Sequence, residues 1–516
     1  MGAGPSVHRV RIARMPTRFA PNGVTARLAR TKRLLMGLVV LGIALRLATF
    51  ESWGIVYDGA EYAVMGQSLL EHGEFVVPYA SEVEYYRHYG PAFPAYLAAF
   101  FAIFGFSVVT VKIAELVASV LFLAAVHFTT RDLLGTWKAW FATAYVALEP
   151  MFLITTAIGY EENLVGLLFV ATVWAVVKSL KQDHYLVLAG ILAGLGFLAK
   201  ASVGYVFVIA AVAGILWRLR FRGWDALRNR WYLAGMVAFA TLAGGWSLRN
   251  LLRFGWPNWQ TSASLEHAYD YGLAHPDVLG YVLAAKAPWF VLMFLFYGGA
   301  FLPELRRSLR RRREEATSAL WLAVVLVFAT GWIVTAFFST VESFPIWWHD
   351  NLRYVVITSP VLLWAALREV GPFQPLGRCP RSSWLSFRKR FFAMLTTFAL
   401  SGVILVAFPA PYAHVAAIQD FEGYIRAGDV VAVDGISVEM VATYLGAVGA
   451  EAVRYRADFN GSFVLSTVGA RYSGFAPVVR FAGEDLMGQS YVCVLWVKAT
   501  DGARMQPLVG MEYKYD

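Results

Sequence analysis

The chain has 516 residues, of which 58% are hydrophobic and 16% charged, with a mean hydropathy of +0.53 and a formal net charge of +10. A soluble domain carries about 25% charged residues, so the deficit excludes an ordinary water-soluble protein and points to helices facing lipid, where charge is not solvated. The surplus Lys and Arg sit in short runs between apolar stretches, a membrane-topology pattern that argues against nucleic-acid binding.

Residues 1–33 hold Arg9, Arg11, Arg14, Arg18, Arg27, Arg30, Lys32 and Arg33 and no acidic residue, and read as a basic cytosolic segment. Roughly 17 to 25 apolar residues cross a bilayer as a helix. The stretches that approach this are Leu34–Phe50, Val108–Thr129, Trp137–Ile158, Asn163–Ser179, Tyr185–Ala199, Val203–Trp217, Trp231–Leu248, Ala287–Leu302, Ala319–Phe338, Tyr354–Leu367 and Phe391–Phe408. The class expected is an all-α polytopic membrane domain over 34–409 with about eleven spans. With the N-terminus inside, the runs Arg218–Arg230, Arg306–Arg313 and Arg378–Arg390 all fall in inner loops, as the positive-inside rule requires. The first outer loop, 51–107, instead holds Glu51, Asp58, Glu61, Glu71, Glu74, Glu82 and Glu84. Within it Ala92–Phe106 is apolar but short and carries Pro94, so it reads as a helix at the outer interface rather than a span.

An odd number of spans puts 410–516 outside. Asp429–Val433 and Tyr491–Lys498 read as strands and Val438–Leu445 as a helix, giving a small soluble extracytoplasmic α/β domain. The two cysteines, Cys379 and Cys493, fall on opposite sides of the membrane and have no metal-ligand spacing.

Asp58 follows the first span closely, where a lipid head group and an aqueous acceptor meet. A carboxylate there suits a general base or an orienting anion, and equally the N-cap of a helix starting at Gly59. Glu161 and Glu162 open the fourth span on the outer side, where two acids either complement the helix dipole or face a cavity. Lys200, Arg249 and Arg353 lie at the outer ends of spans, against the positive-inside trend. A guanidinium fork matches phosphate oxygens, but basic side chains at such depths also snorkel to lipid head groups. The same two readings stand for Arg46. Gly190, Gly194 and Gly196 have the spacing of close helix packing.

Asp58 with Tyr62 four residues on, then Gly90, Pro91, Ala92, Phe93 and Pro94 closing the loop, resembles the GT-C glycosyltransferases, in particular relatives of protein O-mannosyltransferases and lipid A aminoarabinose transferase. Leu148-Glu-Pro150, Tyr160-Glu-Glu-Asn163, Ala189–Lys200, Trp246-Ser-Leu-Arg-Asn250 and Leu352-Arg-Tyr354 match further elements in order. Two places depart from those relatives: Gly59 follows Asp58 where many carry Glu, and Arg87-His88-Tyr89 stands where aminoarabinose transferases have a Glu-Lys pair.

The resemblance implies a multi-pass plasma (inner) membrane glycosyltransferase. It would invert a sugar taken from a polyprenyl-phosphate donor and pass it to a glycan, lipid or protein acceptor at the extracytoplasmic face. Asp58, Glu161 and Glu162 would be catalytic, and Tyr62, His88, Lys200, Arg249 and Arg353 would bind substrate. A divalent metal is left open as cofactor. A transporter or flippase of lipid-linked sugars is the alternative, and would call for charges near the bilayer midplane and broken helices.

Overall fold

The computed structural model describes residues 22–55, 58–79, 82–85, 90–179, 181–200, 207, 228–254, 301, 303–304, 306, 357, 359–369, 381–407, 425–434, 438–446, 450–454, 459, 463–466, 475–484 and 490–498. Val203–Trp217, Ala287–Leu302 and Ala319–Phe338 lie almost wholly outside these, as do His88, Arg353, Cys379 and residues 1–21.

The described residues are mostly helical. The first is α1 (Asn22–Ser52), followed by α2 (Asp58–His72), a short hairpin of β1 (Val76–Tyr79) and β2 (Glu82–Tyr85), and α3 (Ala92–Phe104). Then come α4 (Val108–Leu134), α5 (Thr136–Leu148), α6 (Pro150–Ile158), α7 (Glu162–Ser179) and α8 (Tyr185–Ala199). After these, α9 (Arg230–Phe239) runs through a π turn at Ala240–Gly244 into α10 (Gly245–Phe254), and α11 (Ser359–Glu369) and α12 (Arg381–Ala407) follow. Five helical stretches among the described residues are long and apolar enough to cross a membrane: Ala29–Phe50, Val108–Leu134, Glu162–Ser179, Arg230–Arg253 and Leu385–Ala407.

A sixth candidate, α5 with α6, is bent by 51° instead of running straight over Trp137–Ile158. The break follows from Pro150, which has no N–H and drives the preceding residue out of the helical region. Glu149 accordingly sits at ψ 122° and turns its carboxylate to accept from Phe152 N at 2.8 Å, capping α6. The carbonyls freed at the end of α5 accept from the guanidinium of Arg46, which bonds Val146 O at 3.2 Å, Ala147 O, and Ser119 Oγ at 2.6 Å. Arg46 is 1% exposed, so it is a structural cap on a helix C-terminus, and the readings as phosphate ligand or snorkelling residue fall away. Lys112 does the same for α1, donating to Phe50 O and Trp53 O.

The glycine spacing in α8 serves packing. A Cβ on Gly190 would overlap the Gly235 carbonyl in α9, and one on Gly194 would lie 2.8 Å from the Leu242 side chain. Backbones approach this closely only where both surfaces are small.

Towards the C-terminus, β3 (Val430–Asp434), α13 (Val438–Leu445), β4 (Glu451–Arg454), β5 (Phe463–Ser466), β6 (Phe475–Glu484) and β7 (Ser490–Lys498) build a five-stranded sheet. Its order is β4-β3-β5-β7-β6, parallel on both sides of β3 and antiparallel from β5 onward. Strand alternation divides the side chains: Val431, Val433, Leu465 and Leu495 join the main core, while Ala432, Val464 and Trp496 pack together in a second cluster. Helix α13 packs on α2. Ile55 N donates to Tyr444 Oη at 2.9 Å and Thr443 Oγ1 donates to Ala60 O at 3.3 Å, so α13 holds both flanks of Asp58.

Candidate active site

The site begins where α2 meets the turn between α6 and α7. Gly159 ends α6 at φ 81°, a left-handed position that suits glycine. The chain then turns through Tyr160 and Glu161 into α7. Gly59 lies directly against this turn: a Cβ there would stand 2.5 Å from Ile158 O and 3.0 Å from Gly159 O. The glycine that departs from the Asp-Glu pattern is therefore a contact point that lets α2 reach the acids. Gly90 plays the same part at the other end of the loop, where a Cβ would collide with the Leu198 carbonyl in the last turn of α8. Alanine at either position should cost about 1–3 kcal/mol through overpacking. Thermal unfolding of Gly59→Ala and Gly90→Ala checks this, with Gly37→Ala, where nothing lies within 4 Å, as the control.

Asp58 and Tyr62 are one helical turn apart and share a face of α2. Tyr62 is 1% exposed and meets Phe93 of α3 edge-on, with ring centroids 5.0 Å apart. Its hydroxyl donates to the Glu161 carboxylate. Burial, together with the charges of Glu161, Asp58 and Glu162, pushes the Tyr62 phenol well above its usual pKa, so it is a hydrogen-bond donor and not a base.

Lys200, the residue after α8, brings both acids of α7 onto one ammonium. Nζ lies 2.6 Å from Glu162 Oε1 and also pairs with Glu161 Oε1. Their side chains are 4%, 0% and 1% exposed, respectively. The expected catalytic acids and the expected phosphate ligand are thus one buried ion cluster, with Tyr62 attached and Asp58 in its field.

Arg249 sits in α10 with its guanidinium stacked on Trp246, 4.5 Å from the ring centroid, and donates to Asn250 Oδ1 at 2.8 Å. Trp246 in turn meets Phe75, in the loop that follows α2, at 6.0 Å. Arg249 therefore lies on the side of the bundle where the 51–107 loop packs.

Beneath the ion cluster lies a polar layer centred on Glu115 of α4. Asn163 Nδ2 donates to Glu115 Oε2 at 3.2 Å, to Thr156 Oγ1 at 3.0 Å and to Thr155 Oγ1 at 3.3 Å. Glu115 is not among the site residues that sequence reasoning singles out, although a signal exists: Lys112 and Glu115 stand one turn apart inside an otherwise apolar span. Thr443 and Tyr444 carry no such signal.

No group of three or more His, Cys, Asp or Glu side chains among the described residues is arranged to hold a metal ion. Glu161 and Glu162 already share an ammonium, which competes for the oxygens that a divalent cation would need, so the described donors do not fit such an ion.

The fold has counterparts among solved proteins. The undecaprenyl phosphate-bound ArnT from Cupriavidus metallidurans matches at a TM-score of 0.60 with 13% identity, over 92% of this chain and 98% of that one. The fold is that of the GT-C glycosyltransferases. The same GT-C fold is found in the oligosaccharyltransferase AglB from Archaeoglobus fulgidus, solved with an inhibitory peptide and a dolichol-phosphate (TM-score 0.51, 11% identity, 89% of this chain and 74% of that). The mycobacterial arabinofuranosyltransferase AftD matches at 0.50 with 12% identity, over 90% of this chain and 40% of its own. The family model for dolichyl-phosphate-mannose-protein mannosyltransferases matches residues 88–246, which hold Glu115, Glu161, Glu162 and Lys200. No curated protein matches the sequence.

Proposed function

We propose that this GT-C protein transfers a sugar, with inversion, from a polyprenyl-phosphate donor to a glycan, lipid or protein acceptor at the extracytoplasmic face of the plasma membrane. The observation that carries the reading is the cluster of Asp58, Tyr62, Glu161, Glu162 and Lys200, drawn from α2, the start of α7 and the end of α8. Its setting supports the donor class, because the ArnT and AglB structures hold undecaprenyl phosphate and dolichol-phosphate in the same fold.

In this reading an acceptor hydroxyl attacks the anomeric carbon from the face opposite the phosphate. The bond from that carbon to the phosphate oxygen breaks, and its electron pair leaves on the lipid phosphate. Asp58 orients the hydroxyl and takes its proton. Arg249 and Arg353 stabilise the charge gathering on the departing phosphate, while Lys200 is held by Glu161 and Glu162. Tyr62 and Glu161 keep the Asp58 helix in register with Lys200, and His88 contacts substrate from the loop.

The reading extends to topology: a cytosolic segment 1–33, about eleven spans over 34–409 with the outer loop 51–107, and an extracytoplasmic α/β domain over 410–516 whose helix α13 braces Asp58. A flippase of lipid-linked sugars is the competing reading, and two observations favour it: an acid inside a span, Glu115, and the bent pair α5–α6. Both have structural explanations, Glu115 through Asn163 and the bend through Pro150.

The test is a panel of synthetic polyprenyl-phospho-sugars carrying mannose, glucose, arabinose and aminoarabinose, each offered with total envelope glycans, lipids and proteins. Release of polyprenyl phosphate with appearance of sugar on an acceptor is the expected result. Movement of labelled lipid between leaflets of proteoliposomes, with no transfer from any donor, would support the flippase instead.

A further inference from the structure

Asn163 stands next to Glu162 and two residues after Glu161, and its side chain bonds to α4 and α6. Its one amide nitrogen contacts Glu115 of α4 and both Thr155 and Thr156 of α6. Asn163, Glu115 and Thr155 are 0% exposed and Thr156 is 3% exposed. The thread ties three helices together at the turn that carries the acids. Thr156 is fixed in turn by its own bond to Phe152 O at 2.6 Å. Buried polar groups are costly unless satisfied, and a fully bonded network rigidifies what it joins. Here the network is incomplete in one respect: Glu115 Oε1 and Asn163 Oδ1 have no hydrogen-bond partner among the described residues.

We propose that Glu115 and Asn163 are positioning residues, which hold the α6–α7 turn so that Glu161 and Glu162 close on Lys200. They act through that turn and not on a substrate. The inference concerns the same site as the proposed glycosyl transfer and rests on that reading only for its consequence for activity; its structural content stands apart from it.

The test therefore reads Lys200 directly. The full chain, purified in nanodiscs, is treated with a water-soluble amine-acylating reagent, and modification of Lys200 and Lys112 is followed by mass spectrometry. Lys112 is the internal control, because it is equally buried and tied to α1. Asn163→Ala and Glu115→Ala should each speed acylation of Lys200 roughly tenfold, the upper scale of one lost buried hydrogen bond, and leave Lys112 protected. Glu115→Gln should keep Lys200 protected, since its amide oxygen can still accept from Asn163 Nδ2.

Unchanged protection of Lys200 in both alanine variants overturns the proposal. So does joint exposure of Lys200 and Lys112, which would mean general loosening, and so does failure of the Gln variant to protect, which would make the carboxylate charge and not the bond decisive. These outcomes are independent of sugar transfer. A positive acylation result with no transfer from any donor would uphold the positioning pair and count against the glycosyltransferase reading alone.

Discussion

Replacing Asp58 with Asn is expected to leave the protein folded and to reduce sugar transfer by roughly 10²–10⁴-fold, the range for loss of a positioned proton acceptor. Asp58 lies in the first described turn of α2, so its carboxylate's structural contribution is its interaction with the helix N-terminus. That is worth about 0.3–1 kcal/mol, and Asn replaces Asp in such places with little loss. The two roles separate cleanly. A proton acceptor predicts lost turnover with near-parental thermal stability and unaltered binding of the proposed polyprenyl-phosphate donor. A helix-start role predicts a small stability change and near-normal turnover. Parental turnover in Asp58→Asn would remove Asp58 from the mechanism.

Lys200→Met should produce the largest loss of stability. The substitution leaves Glu161 and Glu162, at 1% and 0% side-chain exposure, facing each other without the ammonium between them. Breaking a buried ion pair by removing one partner costs about 3–5 kcal/mol, because the remaining charge stays desolvated. The same accounting predicts a rescue. Adding Glu162→Gln to Lys200→Met removes one stranded charge and should return a measurable part of the stability, although Glu162→Gln alone in the parent is destabilising or neutral. This sign reversal is the signature of direct coupling. Thermal inactivation of the four proteins in nanodiscs measures it. A double variant no more stable than Lys200→Met would mean that the pairing of Lys200 with Glu162 does not govern the stability of this layer.

Much of the fold is legible in the sequence because its signals are local. Long apolar runs separated by basic clusters mark helical spans, and five of those inside the described residues, α1, α4, α7, α9 with α10, and α12, have the required length and hydropathy, whereas Tyr185–Ala199 forms a shorter apolar helix and Trp137–Ile158 is bent at Pro150. The i,i+4 spacing of Asp58 and Tyr62 by itself puts both on one face of a helix. The glycines of α8 read as packing contacts, and Gly190 and Gly194 are that.

What the sequence leaves open, it leaves open because the answer depends on which helix lies beside which. Arg46 at a span end is equally suited to a phosphate, to lipid head groups or to neither, and the decision comes from the carbonyls that α5 leaves free when Pro150 ends it. Glu162 and Lys200 are 38 residues apart, on segments whose patterns carry no mark of each other. Each has a satisfactory local explanation, as a helix-start acid and as an interfacial base. Only the packing of α7 on α8 turns them into one desolvated pair, and only the approach of Gly59 to the carbonyls of Ile158 and Gly159 brings Asp58 and Tyr62 to it. Periodicity fixes the face of a helix that is buried. Which charges meet across that face is set by helix neighbours and crossing geometry, and the cost of burying a charge without its partner makes that meeting specific.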